Sequence, residues 1–175
     1  MAPRTIAAKF SALVLGGALL SPEAIGQQTS LGEQLRGSWT LVSHEAVRRD
    51  GSKVLPYGPD PHGIAIFSPD GRFIISVMRA GRASYAIAFP SQGTADENKA
   101  TAEGTMTYFG TYSVDETKRV IAIHIEASSF PNWSGTDQTR DFAISGDRLI
   151  LTARALGSGG HADVTWKRAK QSGDP

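Results

Sequence analysis

Between Arg119 and Ser128 apolar and polar positions alternate with a period of two, which is the signature of a strand with one face buried. Ile121, Ile123 and Ile125 fall on one face, and Ala122, His124 and Glu126 on the other. Seven further segments rich in β-branched and aromatic residues share this character: 37–47, 62–68, 72–79, 104–113, 136–144, 148–155 and 162–168. Turn chemistry separates them. Pro69-Asp70-Gly71 and Ser145-Gly146-Asp147 place a preset φ or a residue tolerant of positive φ where a hairpin needs one. Thr94, with Glu97 three residues later, has the form of a capping box and predicts one short helix between the third and fourth strands. Pro56-Tyr57-Gly58-Pro59-Asp60-Pro61 lacks a backbone donor at three positions, so it predicts a loop across one end of the sheet. The expected fold is all-β: an eight-stranded antiparallel up-and-down barrel over residues 35–168. Such a barrel has no exposed edges, and its interior is just wide enough to be filled or to hold one small ligand.

Strand parity then sorts the conspicuous side chains. Pairing the sixth strand with the isoleucine strand so that Ile125 lies opposite Arg140 sets Ile123 against Phe142 and Ile121 against Ile144, with His124 facing Asp141 outside. His124-x-Glu126, the most tempting acid-base or metal pair, is thereby assigned to solvent. Arg140 falls inside with Phe142 and Ile144, where a guanidinium demands either an anionic ligand or an internal partner such as Glu45. On the fourth strand Tyr108 and Tyr112 share a face with Met106 and Gly110, giving apolar walls with polar tips and a position without a side chain. Trp166 joins this inner set. Trp133, in the connection Ser129-Phe130-Pro131-Asn132-Trp133-Ser134-Gly135, is placed at the rim.

Composition narrows the setting. The 175 residues carry a formal net charge of +1, and 40% are hydrophobic, in keeping with one soluble domain that does not engage nucleic acid. Arg4 and Lys9 precede an apolar run from Phe10 to Leu20, followed by Ser21-Pro22 and the small residues Ala24-Ile25-Gly26. This predicts a signal peptide over residues 1–26 and an exported chain, periplasmic or secreted, with no stable membrane insertion after cleavage. The run is about half of the roughly 20 residues that cross a bilayer. There is no Cys, so neither disulfides nor lipid attachment at Cys enters the account. Residues 27–34 and 169–175 have the composition of mobile ends. No Gly-x-Ser-x-Gly, P-loop, paired-Cys zinc pattern or His-Glu-x-x-His occurs, and nothing calls for a metal or other cofactor.

Several blocks together resemble the bacterial and fungal lipocalin-like domain family: Gly37-x-Trp39, Pro56-Tyr57-Gly58-Pro59, Ser68-Pro69-Asp70-Gly71-Arg72-Phe73, Tyr108-Phe109-Gly110-Thr111-Tyr112, Ser129-Phe130-Pro131-Asn132-Trp133, Asp137-Gln138-x-Arg140, Ser145-Gly146-Asp147-x-Leu149 and Trp166-Lys167-Arg168. The resemblance implies a calycin-type barrel in which Gly37, Trp39 and Arg168 form a structural signature, with the Trp packed near the basic residue of the last strand. It implies no particular activity. Three expectations follow. The first is a barrel that binds a small hydrophobic or amphipathic, even anionic, molecule through Arg140, Tyr108, Tyr112, Phe142, Trp166 and Trp133. The second is a small isomerase or cyclase using Arg140, a Tyr and an acid such as Glu45 or Glu126. The third is a filled barrel acting through its surface.

Overall fold

The computed structural model describes residues 29–154 and 159–170. The predicted signal peptide, residues 27–28 and the end of the tail, 171–175, lie outside them. Among the described residues are nine strands: β1 Gly37–Arg48, β2 Lys53–Val54, β3 His62–Phe67, β4 Arg72–Met78, β5 Thr105–Asp115, β6 Val120–Ser128, β7 Thr136–Ser145, β8 Arg148–Arg154 and β9 Gly160–Arg168. Eight of these pair antiparallel around a ring, and β9 returns to β1 along the run from Trp39 opposite Arg168 to Arg48 opposite Gly160. The barrel is therefore closed. The ninth, β2, is only two residues long and invisible to a periodicity argument. It pairs Val54 with Ala46, on the half of β1 that lies beyond the last β3 partner, Thr40. The expected helix, α2 Ala95–Glu103, lies between β4 and β5 with the Thr94–Glu97 capping box in place.

Two features of the sheet depart from what alternation predicts. In the β6–β7 ladder Ile125 faces Thr136, Ile123 faces Gln138 and Ile121 faces Arg140, so the register is four residues from the expected one. The connection sets it: Gly135 donates its N–H to the Ile125 carbonyl at 2.7 Å, and β7 starts at the next residue. A slip of four preserves every face, so Arg140 still points inward.

The second departure, in β1, does reverse faces. Leu41 pairs with Trp166 but Ser43 pairs with Thr165, leaving Val42 as an extra, exposed residue in a bulge. An odd insertion turns the remainder of a strand over. Trp39 and Leu41 point inward before the bulge, and His44 and Ala46 after it. Glu45, expected beside Trp39 and Leu41, is therefore outside, where it pairs with Lys53 at 2.9 Å.

The barrel end that holds the start of β1 is filled. Residues 30–34, assigned on composition to a mobile end, are instead ordered and with Leu35 build α1 Leu31–Leu35, held by a Ser30–Glu33 capping box and by Glu116 accepting the Gly32 N–H at 2.9 Å. Leu35 at its C-terminus is fully buried together with Trp39, Phe67, Ile121, Leu149 and Trp166. Trp39 donates its indole N–H to the Leu35 carbonyl at 2.8 Å. Arg168 lies 4.1 Å above the Trp39 ring and donates to the carbonyls of Arg36, at 3.0 Å, and Gln34. These contacts satisfy carbonyls that the end of a helix leaves without partners. Gly37, at φ 108°, lets the chain turn out of α1 beside the guanidinium.

Candidate ligand site in the open half of the barrel

The opposite end receives the loop from β2 to β3, the segment from β4 to β5 with α2, and the connection from β6 to β7. There the interior is hollow. A cavity of about 1670 Å³ is walled by His44, Tyr57, Tyr108, Trp133, Arg140 and Trp166, among others. Its lining continues past Thr136 and Asp137 to Thr111 and His124 on the outer face, so the volume includes open groove as well as lumen. The contrast between filled and hollow halves comes from side-chain size. Ala46, Ala153 and Ala162 line the upper wall, whereas the lower half holds Trp39 and three buried Phe, with Trp166 at the boundary between the two.

One wall is an aromatic ladder. Phe73 meets Tyr108 edge-on at 5.9 Å, Tyr108 meets Trp133 at 5.4 Å, and Trp133 meets the exposed Phe130 at 6.0 Å. A one-turn helix, Pro131–Trp133, carries Trp133 to the rim, half-buried over the ladder.

Arg140 stands beside this ladder. Its guanidinium donates to the Gln138 Oε1 at 2.6 Å and to the Thr139 carbonyl at 2.8 Å, and it flanks the Tyr108 phenol. Burial pushes the Tyr108 hydroxyl well above the ordinary phenol range, and the Arg140 charge opposes that shift. Among the described residues no carboxylate pairs with Arg140. Glu45 is taken by Lys53, Asp141 by Arg154 at 2.7 Å, Glu126 by Arg72 through two bonds of 2.8 and 3.0 Å, and Asp137 by His124 at 2.8 Å. All of these pairs are on the outer surface. The lumen thus holds a cation with only neutral partners, the arrangement that favours an anion or a strong acceptor. The acid that the isomerase or cyclase expectation required, Glu45 or Glu126, is absent from the cavity.

The remaining expected residues divide. His124 and Glu126 face outward as their parity predicts, although His124 meets Asp137 rather than Asp141. Phe142 is buried in the filled core and is not a cavity wall, a correction that follows from its place well down β7. Tyr112 reaches the cavity from below, with its hydroxyl donated to the Ser68 carbonyl at 2.9 Å. Trp166 lies in the wall fully buried, with its indole N–H lacking an acceptor among the described residues. Gly110 is not a device for widening the lumen. A Cβ there would strike the His124 carbonyl, so the glycine exists to let β6 approach at the bulge opposite Glu126.

Two site residues escape the sequence reading. His44 is turned inward by the Val42 bulge, and Tyr57 folds in from the proline-rich loop to meet it edge-on at 5.0 Å. Burial lowers the His44 pKa and raises that of Tyr57. No local signal announces the bulge. Tyr57 does belong to the Pro56-Tyr57-Gly58-Pro59 block, which was the available hint.

The lowered His44 value has a consequence for stability. The unfolded chain takes up a proton near the usual imidazole value of about 6.5, while the folded barrel resists it until lower pH. Stability is therefore fully present above that value and falls as pH drops through the window beneath it. His44→Leu removes this term, so the melting temperature of the variant should exceed that of the parent progressively as pH falls below neutrality. Parallel melting curves for the two proteins would refute the assignment.

A closed antiparallel barrel with one plugged end and one hollow, aromatic-walled end is of the calycin type, a class suited to enclosing small molecules. The chain belongs to the lipocalin-like domain family, whose model matches residues 36–169. Among solved structures it is similar to a redesigned β-barrel, at 11% identity over 82% of this chain and 98% of that one, with a TM-score of 0.43. A de novo designed fluorescence-activating β-barrel matches at 13% identity over 78% and 95%, with a TM-score of 0.38. A variant of the fluorescent protein UnaG matches at 12% identity over 79% and 99%, also with a TM-score of 0.38. No curated protein matches significantly.

Proposed function

We propose that this chain is an exported carrier or sensor that encloses a small amphipathic molecule in the open half of its barrel, with an anionic or strongly accepting group held by Arg140 and Tyr108. The observation that carries this reading is the Arg140 guanidinium, which lines an aromatic cavity without a carboxylate partner among the described residues. Most of the binding free energy then comes from apolar burial against Tyr108, Trp133 and their neighbours, at about 25 cal/mol per Å². The charge-assisted contact fixes orientation and adds about 1.5–3 kcal/mol.

Two fluorescent probes of similar shape test it: anilinonaphthalene sulfonate, which is anionic, and N-phenylnaphthylamine, which is neutral. Arg140→Met keeps the apolar stem and removes the charge. It should weaken the sulfonate about 10- to 100-fold and leave the amine within about twofold. Equal loss for both probes, with a lowered melting temperature, would make Arg140 a structural residue and overturn the reading.

A further inference from the structure

The cavity has a second polar wall, on the β1–β9 side, which an anion at Arg140 leaves unused. His44 lies there on β1 opposite Val164, and Trp166 lies two residues further along β9 opposite Leu41. His44 Nδ1 and Trp166 Nε1 are both sealed in the wall with no hydrogen-bond partner among the described residues. Unpartnered buried polar atoms are uncommon and cost about 1–3 kcal/mol each. Neither atom reaches the cavity, so the bare Nδ1 bears on the protonation of the imidazole and not on a contact with ligand.

The chemistry of this wall follows from the tautomer. A buried N–H without an acceptor is rarer than a bare acceptor. The imidazole proton therefore sits on Nε2, since Nδ1 faces no acceptor. The half-buried ring has Nε2 as its accessible nitrogen, on the cavity side. His44 thus presents a neutral N–H donor, with the Tyr57 ring against its edge. Arg48 and Arg49 also line the cavity but lie further along the chain, where β1 ends at the open mouth, so the contact at His44 itself is a neutral donor and suits a neutral oxygen acceptor.

We infer that the ligand is ditopic: an amphiphile whose anionic group meets Arg140 and Tyr108 while a separate hydroxyl or carbonyl oxygen, carried on its apolar body, accepts from His44. This rests on the Arg140 reading above, and the test separates the two. Straight-chain alkanoates from octanoate to hexadecanoate, and their ω-hydroxylated counterparts, are titrated against protein loaded with anilinonaphthalene sulfonate. In wild type an ω-hydroxyl should tighten binding about tenfold at the chain length that spans the two walls, and weaken it at lengths that leave the hydroxyl unpaired. His44→Leu should abolish the difference between hydroxylated and plain alkanoates of equal length, whereas His44→Gln, which retains a donor, should keep part of that difference. A hydroxyl that weakens binding at every length, or a preference that survives in His44→Leu, overturns the ditopic assignment. Plain alkanoates that bind without dependence on Arg140 would instead overturn the underlying reading.

Discussion

Trp39→Ala lowers the stability of the barrel by about 3–5 kcal/mol, a large part of the roughly 5–15 kcal/mol available to a domain of this size. Three losses combine. A fully buried indole leaves a hole in the filled end of the barrel, the Leu35 carbonyl loses the N–H that satisfies it at 2.8 Å, and the Arg168 guanidinium loses the ring 4.1 Å beneath it. Arg168→Met, which keeps the packing of the stem but abandons the Gln34 and Arg36 carbonyls, should cost less, about 1–3 kcal/mol. The two substitutions should be far from additive, because each removes the other's partner. Urea titration followed by far-UV circular dichroism reads this as a fall in midpoint at constant slope. A Trp39→Ala midpoint shift equivalent to less than about 1 kcal/mol would show that α1 and the plugged end do not hold the barrel closed. That result would also separate the family signature from ligand binding, since Gly37, Trp39 and Arg168 belong to the filled half.

Gly110→Ala is expected to be worse relative to the size of the change, costing about 3 kcal/mol or more for a single methyl group. Its Cβ would be driven into the His124 carbonyl and to 2.9 Å from the Glu126 amide nitrogen. Both obstacles are backbone, at the bulge where β5 and β6 change register, so no rotamer change relieves them. Gly146→Ala is the informative control: φ is 59° but nothing lies within 4 Å, so it should cost only the backbone strain of about 1–2 kcal/mol. Soluble yield and urea midpoints of the two variants measure the difference. A Gly110→Ala protein as stable as Gly146→Ala would mean that β6 does not approach β5 so closely.

Local and periodic features of the structure were legible beforehand because they depend on near neighbours in the chain. Eight long strands, the α2 capping box and the turns after Ser68 and Ser145 all show in residue patterns only a few positions long. The inward face of β6 and the outward placing of His124 and Glu126 follow from alternation alone. The inward face of Arg140 follows from parity, which survives a slip of four. The same reasoning failed where one residue was added to a strand. At Val42 the bulge reverses everything downstream in β1, which exchanges Glu45 for His44 inside the barrel and removes both the expected partner of Arg140 and the expected acid.

Two-residue alternation and short-range turn chemistry are written in consecutive positions, so eight antiparallel strands, and an arginine on the inner face of one of them, are legible in the chain alone. Long-range packing alone settles that the ring closes through β1 and β9, that its lower half is filled and its upper half hollow, that α1 seals the floor, and that His44 and Tyr57 join Arg140 and Tyr108 around one cavity. Those outcomes depend on the pairing of β1 with β2, β3 and β9 at different points along its length. Pairing across such sequence separations is fixed by how the whole ring of strands closes, not by any one of them.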